Sequence, residues 1–150
     1  MPYFIDGHNL IPYFNGMSLN QIDDESTLAN FLEPYFRLSK KKAVIYFDRA
    51  FPGSEKWIRK GTVQLRFVRN PLTADDAILN DLKKMGGEAK NYTVITSDQR
   101  LGLSAQHVGA RVISSAEFSQ MVNNQTKSNR LKTKPEDELE YWLQLFEGDS

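Results

Sequence analysis

Apolar residues along the chain fall into two alternating patterns. Short, nearly continuous apolar runs occur at Tyr3–Asp6, Ala43–Asp48 and Tyr92–Thr96, with a shorter one at Arg111–Ile113. Such runs suit strands of a parallel sheet covered on both faces. Thr62–Val68 alternates instead, with Val63, Leu65 and Phe67 on one side and Gln64 and Arg66 on the other, which predicts an edge strand.

Between these runs the apolar residues recur at helical spacing. Ser26–Leu38 carries Leu28, Phe31, Leu32, Tyr35 and Phe36 on one stripe, with Pro34 as a kink or an end. Thr73–Met85 opens on a Thr-x-x-Asp cap, buries Ile78, Leu79, Leu82 and Met85, and stops at Gly86-Gly87. Gln99–Val108 ends at Gly109, and Ser114–Val122 starts with a Ser-x-x-Glu capping box. Strands alternating with helices predict a right-handed, mostly parallel α/β sandwich of about five strands. Residues 123–134 are polar and basic and read as a linker. Pro135 then opens a C-terminal amphipathic helix, 135–150, with Leu139, Trp142, Leu143 and Phe146 on one stripe. That helix either packs back on the domain or docks a protein partner.

Three of the strands end in aspartate: Asp6 after "FI", Asp48 after "YF" and, one residue into the turn, Asp98 after "TS". In an open parallel sheet all carboxyl ends face one edge, where ligands bind, so three carboxylates converge on one rim. Singly, each is most simply a turn residue. "LTADDAI" adds two more. With Thr73 as cap, Asp76 sits at the third helical position and completes a capping box, whereas Asp75 aligns with Ile78, Leu79 and Leu82 and looks inward over the strand ends.

Four inward carboxylates repel one another unless a cation neutralises them. The chain has no cysteine and only two histidines, His8 and His107, so a metal would be held by oxygen. That selects Mg²⁺ or Mn²⁺, ions that keep waters and bind phosphate oxygens, and points to metal-assisted phosphodiester hydrolysis. There is no Gly-x-Gly-x-x-Gly after the first strand and no Gly-Lys-Ser/Thr, which counts against dinucleotide-binding and P-loop proteins. Neither the Asp-x-Asp of a phosphoaspartyl phosphatase nor the acid pair of a receiver domain follows strand one.

Length and charge complete the picture. At 150 residues and 17.2 kDa the chain suits one domain, 1–122, followed by the linker and the last helix. No apolar run approaches the ~18 residues of a membrane span and no signal-peptide pattern opens the chain, which predicts a cytoplasmic protein without a membrane partner. The net charge of zero conceals an asymmetry: residues 37–69 hold ten bases and two acids. Arg49, Lys56, Arg59 and Lys60 follow Asp48, interleaved with Phe51 and Trp57. Bases beside aromatics suit single-stranded RNA, although Trp57 and Ile58 would equally pack a short helix under the sheet. Arg100, in the first turn after Asp98, is a candidate phosphate contact.

Asn9 either orients Asp6, contacts substrate or stabilises its own turn. Thr96 and Ser97 donate either to a phosphate or to a carboxylate, and both Ser97 and Asp98 are candidate caps of the following helix. His8 reads as a base or phosphate contact or as a solvent-exposed turn residue; His107 complements a helix C-terminus.

Taken in order, "FIDGHNLI", "VIYFDRA", "LTADDAI" and "VITSDQRLG…GARVISSAEF" resemble the NYN-domain branch of the PIN-like nucleases, and more narrowly the YacP-like family, over roughly residues 1–122. The resemblance implies a PIN-like three-layer sandwich and an endoribonuclease with a Mg²⁺ or Mn²⁺ centre. It places the family's acidic set on Asp6, Asp48, Asp75 and Asp98. Asn9, Thr96 and Ser97 match the family's polar positions, whereas His8 replaces a tyrosine usual there. The alternative function is a non-catalytic PIN-like RNA-binding or adaptor domain, which would need no such cluster of acids.

Overall fold

A computed structural model of the chain describes residues 2–14, 24–48, 56–69 and 71–132. Strand β1 (Tyr3–Asp6) sits inside the sheet, with every residue buried. Tyr3 and Ile5 face one layer of helices and Phe4 the other. This explains the continuous apolar run, because a strand covered on both faces has no solvent side. The other strands are β2 (Ala43–Asp48), β3 (Lys56–Lys60), β4 (Val63–Val68), β5 (Thr93–Ile95) and β6 (Arg111–Ile113), in the order β3-β4-β2-β1-β5-β6. All neighbours are parallel except β3 and β4.

Helix α1 (Gly7–Leu10) continues directly from β1. Helices α2 (Asp24–Leu38) and α5 (Ser115–Lys132) cover one face, where Leu28, Leu32, Phe36 and Phe118 pack on Ile5, Ile45 and Leu65. Helices α3 (Ala74–Met85) and α4 (Gln99–His107) cover the other, with Ile78, Leu82, Leu101 and Ala105 packed on Phe4, Tyr46 and Val94. The result is the expected three-layer α/β sandwich. Among the described residues no helix is long and apolar enough to cross a membrane.

Four details differ from the sequence reading. The sheet has six strands rather than about five, because Lys56–Lys60 is a strand and not a loop or short helix. It pairs antiparallel to β4 through the two-residue turn Gly61-Thr62, where Gly61 has φ +58°. Consequently β4 is an inner strand and β3 the edge. Arg66 stands on an inner strand because the Asp81 carboxylate of α3 pairs with it at 2.6 Å. Pro34 lies inside α2 without ending it; its ring is on the exposed side while Leu32 and Phe36 stay fully buried. Finally, α5 continues to Lys132, through ten of the residues read as linker. The segment "NNQTKSNRLK" has no Gly or Pro to stop a helix already anchored by Phe118 and Val122. Residues 133–150, including the C-terminal amphipathic stripe, lie outside the described residues.

Candidate active site

The strand order dictates where the functional edge lies. The chain builds outward from β1 to β2 and β4, then returns to add β5 and β6 on the other side of β1. The carboxyl ends of β1 and β5 therefore flank the point where the direction of winding reverses, the usual ligand crevice of an open parallel sheet.

Asp6 ends β1 there and is only 8% exposed. Its Oδ2 accepts a 3.2 Å hydrogen bond from Thr96 Oγ1, at the end of β5. Thr96 Oγ1 in turn accepts from the Asp98 backbone N–H at 3.1 Å, so one hydroxyl ties two of the aspartates together. Of the roles open to Thr96, donation to a carboxylate is the one observed. Asp98 is the N-cap of α4 and accepts from Leu101 N at 2.9 Å; Ser97 is not the cap. Asp48, at the exposed end of β2, accepts from Ala74 N at 2.6 Å, the first residue of α3. Asp48 and Asp98 thus each place one carboxylate oxygen on a helix N-terminus, where the helix dipole favours negative charge.

Asp75 follows in the first turn of α3, half-buried. The four carboxylates affect each other electrostatically. Asp6 is pushed up to about 7, first by burial and then by Asp75, with Asp48 and Asp98 adding to the rise and the Thr96 bond opposing it. Asp75 is also raised, by burial first and then by Asp98, Asp48 and Asp76, with a hydrogen bond to Asp6 opposing. Asp76 is exposed, and its backbone N–H donates to Thr73 Oγ1 at 3.2 Å, as a capping position requires.

Asn9 supports the site from below. Its Oδ1 accepts from Ser97 N at 2.8 Å and from Ser115 Oγ at 2.7 Å, while Ser97 Oγ accepts from Ser115 N at 3.0 Å. The turn after β1, the end of β5 and the start of α5 are joined by this network, in which Ser115 is fully buried. Ser115 had no signal in the sequence beyond lying one residue past a predicted cap. Asn9→Ala leaves the Ser97 N–H and the Ser115 hydroxyl without their acceptor, and a loss of about 2 kcal/mol in a urea titration is expected. A loss below about 0.5 kcal/mol would mean that solvent replaces the amide.

The remaining candidates divide by position. Arg100 is exposed in the first turn of α4, two residues past Asp98, and Lys56 begins β3 opposite Phe67, next to the end of β4. Arg59 and Lys60 lie at the other end of β3, toward the opposite edge of the sheet, where Lys60 Nζ donates to Asn30 Oδ1 at 3.2 Å. Arg49 lies outside the described residues. His8, in α1 just after Asp6, is half-buried rather than in a solvent-exposed turn: Nε2 is 3.3 Å from Glu25 Oε1 of α2 and its ring packs on Phe47. His107 closes α4 as expected.

Among the described residues no three Asp, Glu or His side chains stand close enough to hold an ion as they are. The chemistry of the donor set nevertheless fits a hard cation. All four candidates are carboxylates, Asp6 and Asp75 are raised first by burial and then by their neighbours' negative charge, and a divalent ion would remove that repulsion.

The sequence model of the YacP-like NYN domain matches residues 3–144. Among curated proteins none matches the chain. The fold is similar to the crystal structure of Rae1 (YacP) from Bacillus subtilis, with a TM-score of 0.68 and 20% identity, over 99% of this chain and 96% of that one. It is likewise similar to the W164L mutant of Rae1, with a TM-score of 0.67 and 18% identity over 90% and 86% of the two chains. With the family's domain matched over nearly the whole chain, this protein belongs to the YacP-like NYN domain family, a branch of the PIN-like nucleases.

Proposed function

We propose that the protein is a metal-dependent endoribonuclease that hydrolyses phosphodiester bonds in single-stranded or unpaired RNA. The observation that carries this reading is the placement of four carboxylates about the carboxyl ends of the strands: Asp6 joined to the Asp98 turn through Thr96, Asp48 on the first N–H of α3, and Asp75 in the turn that follows. A fold gains no stability from holding Asp6 in such company, so the arrangement is explained by a ligand that needs it. Asp6, Asp48, Asp75 and Asp98 would hold Mg²⁺ or Mn²⁺. The ion, when bound, would polarise the phosphate and lower the pKa of the attacking water.

This chain's own residues do the rest. Thr96 fixes the rotamer of Asp6, Asn9 and Ser115 hold the β5 turn that carries Asp98, and the α3 N-terminus aims Asp48. Arg100 and Lys56, with Arg49 directly after Asp48 in sequence, would neutralise phosphates of the RNA near the rim, and Arg59 and Lys60, at the other end of β3, could meet only a strand that runs on past the sheet edge.

Purified protein is expected to cleave unstructured RNA with Mg²⁺ or Mn²⁺ and to stop on addition of EDTA. Asp98→Asn provides a clean variant, because asparagine is as good an N-cap as aspartate and removes only the charge. Asp98→Asn and Asp6→Asn are each expected to lower cleavage by at least about 10²-fold, with circular dichroism unchanged. Equal cleavage by wild type and both variants would identify a contaminating nuclease. Salt-sensitive RNA binding with no cleavage and no response to metal would instead make the protein a non-catalytic adaptor.

A further inference from the structure

Outside the aspartate rim, the edge strand β3 carries an indole that the core does not use. Trp57 is 52% exposed, although burying so large an apolar surface is normally favourable. It does not hang free. The Arg66 guanidinium lies over its ring at 4.9 Å. Arg66 is held in turn by Asp81 of α3 at 2.6 Å, and the same Asp81 oxygen accepts the Tyr46 hydroxyl at 2.6 Å. One ring face is thus backed by a guanidinium that is itself fixed by an ion pair, while half of the side chain's surface remains open to solvent.

Register relates this platform to the rim. Trp57 pairs with Arg66, Arg66 with Tyr46, and Tyr46 with Asp6, so all four residues occupy one row across the sheet. Three strand spacings place Trp57 about 14 Å from Asp6 along that row. The four residues project on the same face, the one that carries α3: Tyr46 packs in that layer's core, Arg66 and Tyr46 both bond Asp81, and Asp6 interacts with Asp75. The strand pair is basic, residues 56–69 containing five bases and no acid, and of these Lys56 stands exposed directly beside Trp57 while Arg66 is paired with Asp81.

We propose that Trp57 is a stacking platform for one unpaired base of the RNA, a few nucleotides from the bond that is cut. Arg66, its charge met by Asp81, presents the ring in a fixed orientation, and the exposed Lys56 next to Trp57 neutralises the backbone. Stacking of this kind tolerates any base, because every base offers a π face. The distance to a cleaved bond rests on the proposed function; the stacking itself does not depend on cleavage.

The test separates the two. An eight-nucleotide single-stranded RNA carries 2-aminopurine at one position, moved through the sequence in successive oligonucleotides, and is bound to the Asp6→Asn protein. Fluorescence quenching beyond that of the free oligonucleotide is expected when the probe sits at one or two adjacent positions. In the background of Asp6→Asn, Trp57→Ala is expected to abolish that quenching and weaken binding roughly tenfold, whereas Trp57→Phe retains most of both. In the otherwise wild-type protein, Trp57→Ala is expected to raise KM about tenfold for the octanucleotide with kcat nearly unchanged. Position-specific quenching without any cleavage by the wild type would overturn the nuclease reading and leave the stacking platform intact. Quenching that is indifferent to Trp57→Ala, or affinity within twofold of the parent, would overturn the platform whatever the activity.

Discussion

Asp6→Asn is expected to melt at a higher temperature than the wild type at pH 8 in the presence of EDTA. The buried Asp6 carboxyl titrates near 7, against 3.8 for the ordinary side chain, first because of burial and then because of Asp75. Between these two values the folded protein holds a proton that the unfolded chain has released. Stability from this group is therefore complete below pH 3.8 and declines as the pH rises through 7. Asparagine has no proton to lose and can still accept from Thr96. The full shift corresponds to about 4 kcal/mol, and relaxation around the substituted amide reduces the net gain to about 2 kcal/mol. A rise of roughly 4–8 °C at pH 8 follows for a chain of this size. At pH 4 the two proteins should melt together. Mg²⁺ should raise the wild type at pH 8 and leave the variant nearly unchanged, since an ion held by the proposed site would relieve the same repulsion. Equal midpoints at pH 8, or a less stable variant, would show that the carboxylates do not strain the fold.

Gly7→Ala is expected to be among the most damaging single-methyl additions the protein can suffer. A Cβ on residue 7 would press into the Phe47 ring and lie 2.8 Å from Ile45 Cγ2. Phe47 cannot retreat: it is fully buried, stacked at 5.4 Å on Phe67 and packed at 5.1 Å against His8. The backbone of residue 7 would have to move, and with it Asp6 beside it. A loss of about 3 kcal/mol is expected, a drop of roughly 6–12 °C in Tm, together with a loss of RNA cleavage at temperatures where the variant is still folded. Gly102→Ala is the control. Its Cβ would make an ordinary 3.5 Å contact with Val112 Cγ1, and alanine in the interior of α4 should be neutral or stabilising by up to about 1 kcal/mol. If both substitutions cost the same, the close approach of β2 to Gly7 is not what demands glycine there.

The positions of the candidate aspartates were legible in the sequence because they obey local rules. The ends of β1 and β2, the Thr73 cap and the resulting inward position of Asp75 follow from short apolar runs and helical phase, and each needs only its own neighbours. The stop of α4 at Gly109 is of the same kind. By contrast, β3 was hidden because its strand character comes from pairing with β4. "KWIRK" alone is as compatible with a loop as with an edge, and the signal that would have found it is the turn at Gly61-Thr62. The linker reading of 123–132 failed for the opposite reason: a polar segment becomes helical when it extends a helix already packed through Phe118 and Val122.

The amino-acid sequence by itself determined the layered α/β architecture and which aspartates stand at strand ends, because both are set by periodicities of a few residues. Only the tertiary structure decided how those carboxylates are engaged. Thr96 reaches Asp6 across 90 residues, Asp48 caps a helix 26 residues away, and Ser115 meets Asn9 across 106. It also decided that Arg66, unremarkable in the alternation of β4, would bridge Asp81 and Trp57. Such bonds depend on the order in which strands are laid into the sheet, and that order is an outcome of burial over the whole chain rather than of any one stretch.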